Sequence, residues 1–224
     1  MKLKDRLGIY GIILESLFNQ LSLFLYEVSV FGIYPWFWKI KFYFWIYYFS
    51  DSPFTIVSRR KKTTKTHPDN LIYGETPFIT IKHILDQTNP TSGLSFCDLG
   101  SGRGATVLFA ALYFKMKSAG FELIPEYVDT ANKIKRKLGL ENADFINGDF
   151  SGYDIKEFDI IYFTPTTWDE ENMEKLKNKL KEVKTGSSII SVSIKMDCDF
   201  LKETDKRVYP FSWGESFVYF YKKI

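Results

Sequence analysis

Seven consecutive residues, Asp98-Leu99-Gly100-Ser101-Gly102-Arg103-Gly104, place a glycine at every second position behind an aspartate. Glycines in such a turn let the backbone approach a ligand and take dihedral angles that other residues avoid. A dinucleotide fingerprint needs G-x-G-x-x-G. Here the third glycine comes one residue early, which argues against a nicotinamide-dependent oxidoreductase. Two more acids occupy matching places. Glu122 ends the apolar run AGFEL (119–123), and Asp149 follows ADFIN (143–147) within NGDF. A carboxylate at a strand end can accept hydrogen bonds from ribose hydroxyls. Three acids after three successive strands, around one glycine turn, form a nucleoside-binding constellation.

The surrounding sequence supplies elements to position these groups. LSFCDLG (94–100) reads as a buried strand and 104–118 as a helix. A strand at 119–123 leads to a helix from Pro125 to Leu138, closed by Gly139. Strands are predicted at 143–147, 158–164 and 187–194, with a charged helix at 168–184. Two more strands lie within 208–223, around Trp213–Gly214. Such alternation implies an α/β fold: a doubly wound, mainly parallel seven-stranded sheet of Rossmann-like type with an antiparallel edge. Ligands of such sheets bind beyond the carboxyl ends of the strands.

Composition divides the chain. Residues 1–50 hold 16 of its 40 aromatics, so the aromatic excess is concentrated there. Within 7–49 only Glu15, Glu27, Lys39 and Lys41 are charged, and Pro35 splits the stretch into two arms. Three arrangements fit. Amphipathic helices lie in a membrane interface with Trp36, Trp38 and Trp45 at headgroup level; two short spans form a hairpin; or the helices cover the domain or an oligomer interface. The basic run RRKKTTK (59–65) is either a contact for anionic lipid or a solvated linker. The expected organisation is a hydrophobic helical segment at 1–50, a basic linker at 51–70 and a catalytic domain at 71–224. Cys97 and Cys198 read as free thiols, which excludes a disulfide framework. No metal-ligand spacing occurs. A net charge of +3 is too weak to argue for nucleic acid.

FCDLGSGRG, GFELIPEYV and NGDF resemble motifs of the class I S-adenosylmethionine-dependent methyltransferases. Within that superfamily, YGETPFIT (73–80), DLGSGRG (98–104), DIIYFTPTTW (159–168) and SWGESFVYFYK (212–222) resemble lysine methyltransferases of the disruptor-of-telomeric-silencing type and their bacterial relatives. There is also likeness to the membrane-associated methyltransferase of the ATP synthase c-subunit lysine. The resemblance implies S-adenosyl-L-methionine as cofactor. Gly100, Ser101, Gly102 and Gly104 would form its loop, and Asp98 would hold that loop or the methionine amino group. Glu122 would bind the ribose, Asp149 the adenine amino group, and Tyr73, Glu75 and Thr76 the methionine end. Thr76 has an alternative reading as a helix cap.

Substrate-facing residues of this fold usually follow the fourth strand. Here they are Thr164-Pro165-Thr166-Thr167-Trp168. This stretch departs from the Asn/Asp-Pro-Pro-aromatic motif of DNA and glutamine amino-methyltransferases. It departs also from the asparagine-rich stretch of the nuclear histone enzymes, so histone specificity is not implied. Trp168, Tyr162 and Phe163 are candidates for an aromatic wall, depending on strand phase. Thr166 or Thr167 would either bond the substrate nitrogen or cap the next helix. Neither His67, in the linker, nor His83, on the helix before the first strand, is placed as a base. The expected activity is methylation of a protein lysine on the cytoplasmic side of a membrane. The alternatives are a soluble cytoplasmic enzyme, a methyltransferase for an apolar small molecule or lipid, and a non-catalytic scaffold.

Overall fold

The computed structural model describes residues 18–62 and 73–224. Helix α1 runs through residues 18–31, followed by α2 (Pro35–Tyr48), α3 (Pro53–Lys61) and α4 (Phe78–Asp86). Then come β1 (Ser95–Leu99), α5 (Ala105–Tyr113), β2 (Lys117–Glu122), α6 (Pro125–Leu138) and β3 (Ala143–Asn147). The chain continues through β4 (Ile160–Phe163), α7 (Glu170–Lys181), β5 (Ser188–Val192), β6 (Leu201–Phe211) and β7 (Gly214–Lys223). The seven strands lie in the order β3-β2-β1-β4-β5-β7-β6, with β7 antiparallel to both neighbours and the rest parallel. Strand order reverses between β1 and β4, so a crevice opens beyond Leu99 and Phe163.

The central strands are apolar on both faces because helices cover both. Phe96, Ile160, Tyr162 and Ile190 face a core shared with α2, α4, α5 and α6. Cys97, Leu99, Ile161, Phe163 and Ile189 face the second core, closed by Leu176 and Leu180 of α7. Cys97 and Cys198 are free thiols.

Helix α6 starts at Pro125 and ends with Gly139 in the left-handed conformation at φ 64°, as its sequence signals predict. Other boundaries differ. Helix α5 stops at Tyr113, five residues before the expected 118. Lys115 takes φ 59°, and the Asn142 side chain captures the carbonyls of Ala111 and Met116. Strand β2 accordingly starts at Lys117 rather than 119. Helix α7 begins at Glu170, capped by the Asp169 carboxylate on Asn172 N at 2.9 Å, so neither Thr166 nor Thr167 is the cap. Strand β6 begins at Leu201, ahead of the expected 208.

Within the stretch read as a linker, α3 is docked: Ile56 and Val57 are buried, and Tyr127 donates to Pro53 O at 2.7 Å. Arg60 pairs with Glu126 and Arg59 with Asp51, so these two cations of the basic run hold protein carboxylates. Lys65 and His67 lie outside the described residues. Helices α1 and α2 cover the domain, with Phe31, Phe37, Ile40, Phe44 and Tyr48 in the main core. Glu27 of α1 is buried. It pairs with Lys41 of α2 at 2.6 Å and accepts from Phe78 N, at the start of α4, at 2.5 Å. Among the described residues no helix is long and apolar enough to cross a membrane.

Candidate active site

Beyond the carboxyl ends of β1, β2 and β4 lies a cavity of about 340 Å³, within the usual range for a ligand site. Twelve of the thirteen expected site residues line it: Tyr73, Glu75, Thr76, Asp98, Gly100, Ser101, Gly102, Glu122, Asp149, Thr166, Thr167 and Trp168. The thirteenth, Gly104, does not. It caps α5 at φ 80°, and a Cβ there would overlap the Phe145 ring. Its glycine is required by packing and backbone angle.

The glycine loop is fastened to the end of β2. Gly100 N and Ser101 N both donate to Phe121 O, at 2.9 and 3.0 Å. Gly102 N donates to Glu122 Oε2 at 2.8 Å, and Ile124 N to Oε1 at 2.9 Å. A carboxylate has about four acceptor positions, so both oxygens keep capacity for a vicinal diol in the cavity. Burial raises the Glu122 pKa against the pull of those backbone donors. Asp149 accepts from Ser151 N at 2.9 Å and stands 3.7 Å from Lys175 Nζ. It therefore makes the turn and lines the cavity at once.

Asp98 is buried and accepts from Thr106 Oγ1. Desolvation pushes its pKa up to about 7, with the Thr106 bond opposing and the Glu122 charge adding. A cationic ligand group beside it restores its charge.

On the β4 side, Thr76 bonds Tyr162 Oη at 2.7 Å and does not cap α4, whose N-cap is Pro77. Ser212 N donates to Glu75 O at 3.1 Å, and Gly74 lies against Trp213, where a Cβ would come 2.5 Å from Cε3. Strand phase separates the aromatic candidates. Tyr162 pairs in register with Asp98 and reaches the cavity, whereas Phe163 pairs with Leu99 and belongs to the second core. Trp168 stacks on Phe150 with centroids 5.2 Å apart and comes 3.7 Å from a Cβ placed on Gly100. It walls the cavity and packs at the same time. His83 contacts Tyr26 and does not line the cavity. Arg103, Trp213 and Asn172 line it without having been singled out. Trp213 had a signal in SWGESFVYFYK but no assigned role, and Arg103 looked like a spacer between glycines. Among the described residues no cluster has metal-binding composition.

The geometry fits S-adenosyl-L-methionine: a diol acceptor at Glu122, a close-approach loop, and carboxyl groups for a cationic amino acid, buried at Asp98 and partly exposed at Glu75. Known proteins agree. The chain resembles an RNA methyltransferase from Salinibacter ruber solved with S-adenosyl-L-homocysteine, with TM-score 0.57 and 22% identity, covering 66% of this chain and 93% of that one. It also resembles TrmN from Thermus thermophilus, with TM-score 0.59 and 16% identity, covering 71% and 53%. These likenesses establish the fold. A histone-lysine N-methyltransferase, H3 lysine-79 specific, from Gibberella zeae is 29% identical over 137 residues, 54% of this chain and 28% of the relative. Its namesake from Chaetomium globosum is 27% identical over 148 residues, 60% and 29%. The matched stretch spans under a third of these curated relatives. Residues 56–206 match the family described as histone methylation protein DOT1. With well over half its length in that match, the chain belongs to the DOT1 family of class I S-adenosylmethionine-dependent methyltransferases.

Proposed function

We propose that this chain methylates the side-chain amine of a lysine in a protein. The observation that carries this reading is the aromatic lining at the β4 end of the cavity, with Trp168 beside Gly100, Trp213 against Gly74 and Tyr162 in register with Asp98. In this reading Glu122 accepts the ribose hydroxyls, Asp149 the adenine amino group, and Asp98 and Glu75 the methionine ammonium. The bound cofactor supplies an electrophilic methyl group on a positively charged sulfur. The chain supplies alignment, which is worth about 7–11 kcal/mol when reacting atoms are held in line. It also disfavours the protonated acceptor, since an ammonium has no lone pair and desolvation against indole faces lowers its pKa. Thr166 and Thr167 orient the acceptor nitrogen.

Relatives named for lysine methylation support that acceptor over a nucleobase. The threonine-rich stretch Thr164–Trp168 lacks the asparagines of the nuclear histone enzymes, so the proposal stays with a protein lysine. Incubation with methyl-labelled cofactor and lysate tests it. Label in protein bands, released as methyl-lysine on hydrolysis, is expected. Label confined to the organic extract overturns the reading in favour of an apolar small molecule.

We further propose that α1 and α2 dock the enzyme on the cytoplasmic face of a membrane, lying in its interface. The outer face of α2 exposes Trp38, Phe42, Trp45 (60% exposed) and Phe49; Phe18 (71%) of α1 and Ile33 (82%) between the two helices are exposed as well. Lys39 on α2 and Lys62 at the end of α3 are exposed cations, the Asp51 carboxylate after α2 is paired with Arg59, and the Glu27 carboxylate is turned inward. Aromatic side chains with cations suit an anionic headgroup layer. Sedimentation of the full chain with phosphatidylcholine vesicles, with and without phosphatidylserine, tests this. Binding that needs phosphatidylserine and is lost in a Trp45→Ser, Phe49→Ser variant is expected. A full chain that stays in the supernatant overturns it.

A further inference from the structure

Arg103 brings a permanently charged group into the interior, where its side chain is only 15% exposed. Nη2 donates to both Glu75 oxygens, at 2.6 and 2.5 Å. The guanidinium carbon lies 4.3 Å from the centre of the Phe44 ring and 5.0 Å from that of Tyr48, both on α2, and 5.8 Å from that of Tyr73. Nε is buried without a hydrogen-bond partner, so the Glu75 pair is what anchors the head. Three segments therefore meet on one side chain: the glycine loop, the stretch leading into α4, and α2.

A buried ion pair is poor evidence of stabilisation, since an apolar replacement of the same shape is often as stable or more so. What this pair accomplishes is direction. Glu75 lines the cavity, and Arg103 fixes where its carboxylate points. The stretch carrying Glu75 is fastened on the β4 side, through Thr76 to Tyr162 and through Ser212 to Glu75 itself. The diol acceptor Glu122 stands across β1, at the end of β2. A nucleoside held by Glu122 thus directs its amino-acid substituent toward Glu75, and an α-ammonium is the group that a fixed carboxylate recognises.

We propose that Arg103 is a positioning residue that locks Glu75 at the amino-acid end of the cofactor cavity, with Phe44 and Tyr48 of α2 as the wall behind it. The N-terminal helices then form part of the cofactor-binding unit. This rests on the reading of the cavity as the S-adenosylmethionine site.

Calorimetric titration of the full chain with S-adenosylmethionine, S-adenosylhomocysteine and 5′-methylthioadenosine tests it, because the last lacks the amino-acid end. Absence of binding of all three to the unmodified chain overturns the underlying reading of the cavity. Given that binding, Arg103→Met weakens the first two ligands by about 10- to 100-fold, as expected for contacts to a charged group, while methylthioadenosine stays within about twofold. Arg103→Lys recovers part of the loss. Phe44→Leu, which removes a ring behind the guanidinium and touches no ligand, shows the same selectivity at smaller size. The double variant Arg103→Met, Glu75→Gln leaves neither charge unpaired and guards against misfolding of the single variants; it too is expected to be selective. Equal weakening of all three ligands, or unchanged S-adenosylmethionine binding in Arg103→Met, overturns the proposal.

Discussion

Glu122 and Glu75 both present a carboxylate to the cavity, and they are held there by different means. Glu122 is gripped by the backbone N–H groups of Gly102 and Ile124, within its own loop and the one beside it. Glu75 is gripped by a side chain, Arg103, which is itself set between α2 and the glycine loop. The neighbours follow suit. Asp149 uses Ser151 N, two residues on, whereas Thr76 uses Tyr162, 86 positions away. Backbone-held acids depend on loop conformation and tolerate changes in surrounding side chains. Side-chain-held groups respond to substitutions in distant elements.

The largest effect is expected where loop conformation itself is broken. Gly102 has φ 52°, which a β-branched residue reaches only with strain, and its N–H holds Glu122. Gly102→Val should weaken S-adenosylmethionine binding by about 100-fold or more in calorimetry, since strain and the lost alignment add. A loss under fivefold would show that this end does not depend on loop geometry.

Next comes Asp98, between the two ends. Its proton leaves at about pH 7 in the free protein because burial disfavours the anion. A cationic ligand favours the anion, so binding below pH 7 must expel a proton. Affinity should fall by about tenfold per unit as the pH drops below about 7, with Asp98→Asn abolishing that slope. Tighter binding at lower pH would reverse the assignment.

A double-mutant cycle on Thr76 and Tyr162 sharpens the contrast at the side-chain-held end. Tyr162→Phe alone leaves the buried Thr76 hydroxyl unpaired, and Thr76→Val alone leaves the Tyr162 hydroxyl only its 3.4 Å bond from Thr164; each should cost about 1–3 kcal/mol of stability in urea unfolding, while the double variant costs less than the sum. Additive costs would mean that the pair does not act as a unit. Smallest is Asp149→Asn. This residue is partly exposed and paired loosely with Lys175, so an affinity loss of about threefold is expected by titration.

The same difference governs what could be read in advance. The glycine loop and the acids after β2 and β3 belong to strand-end motifs only a few residues long, and all but Gly104 line the cavity. The bounds of α6 follow from Pro125 and Gly139. Arg103 was illegible because its partners lie 28 and more positions away. Helix α5 ends early through Asn142, which no local pattern announces. Strand β6 escaped over 201–207 because an edge strand facing solvent shows no apolar alternation. Helix α2 is apolar on its buried and its exposed sides alike, so its pattern told that it was a helix but not which side met the domain.

The Glu27 carboxylate gives the attachment of the first helix a reporter of its own. Phe78 N and Ile79 N at the start of α4 find their acceptor on α1, 51 and 52 positions back. If α1 lifts away while the sheet stays intact, those two amides lose that acceptor and become open to solvent deuterium. Their exchange then measures the free energy of detaching α1, separately from the amides of β1 and β4, which open only when the sheet does. A residue-resolved exchange experiment would therefore show whether the N-terminal helices come and go as a unit.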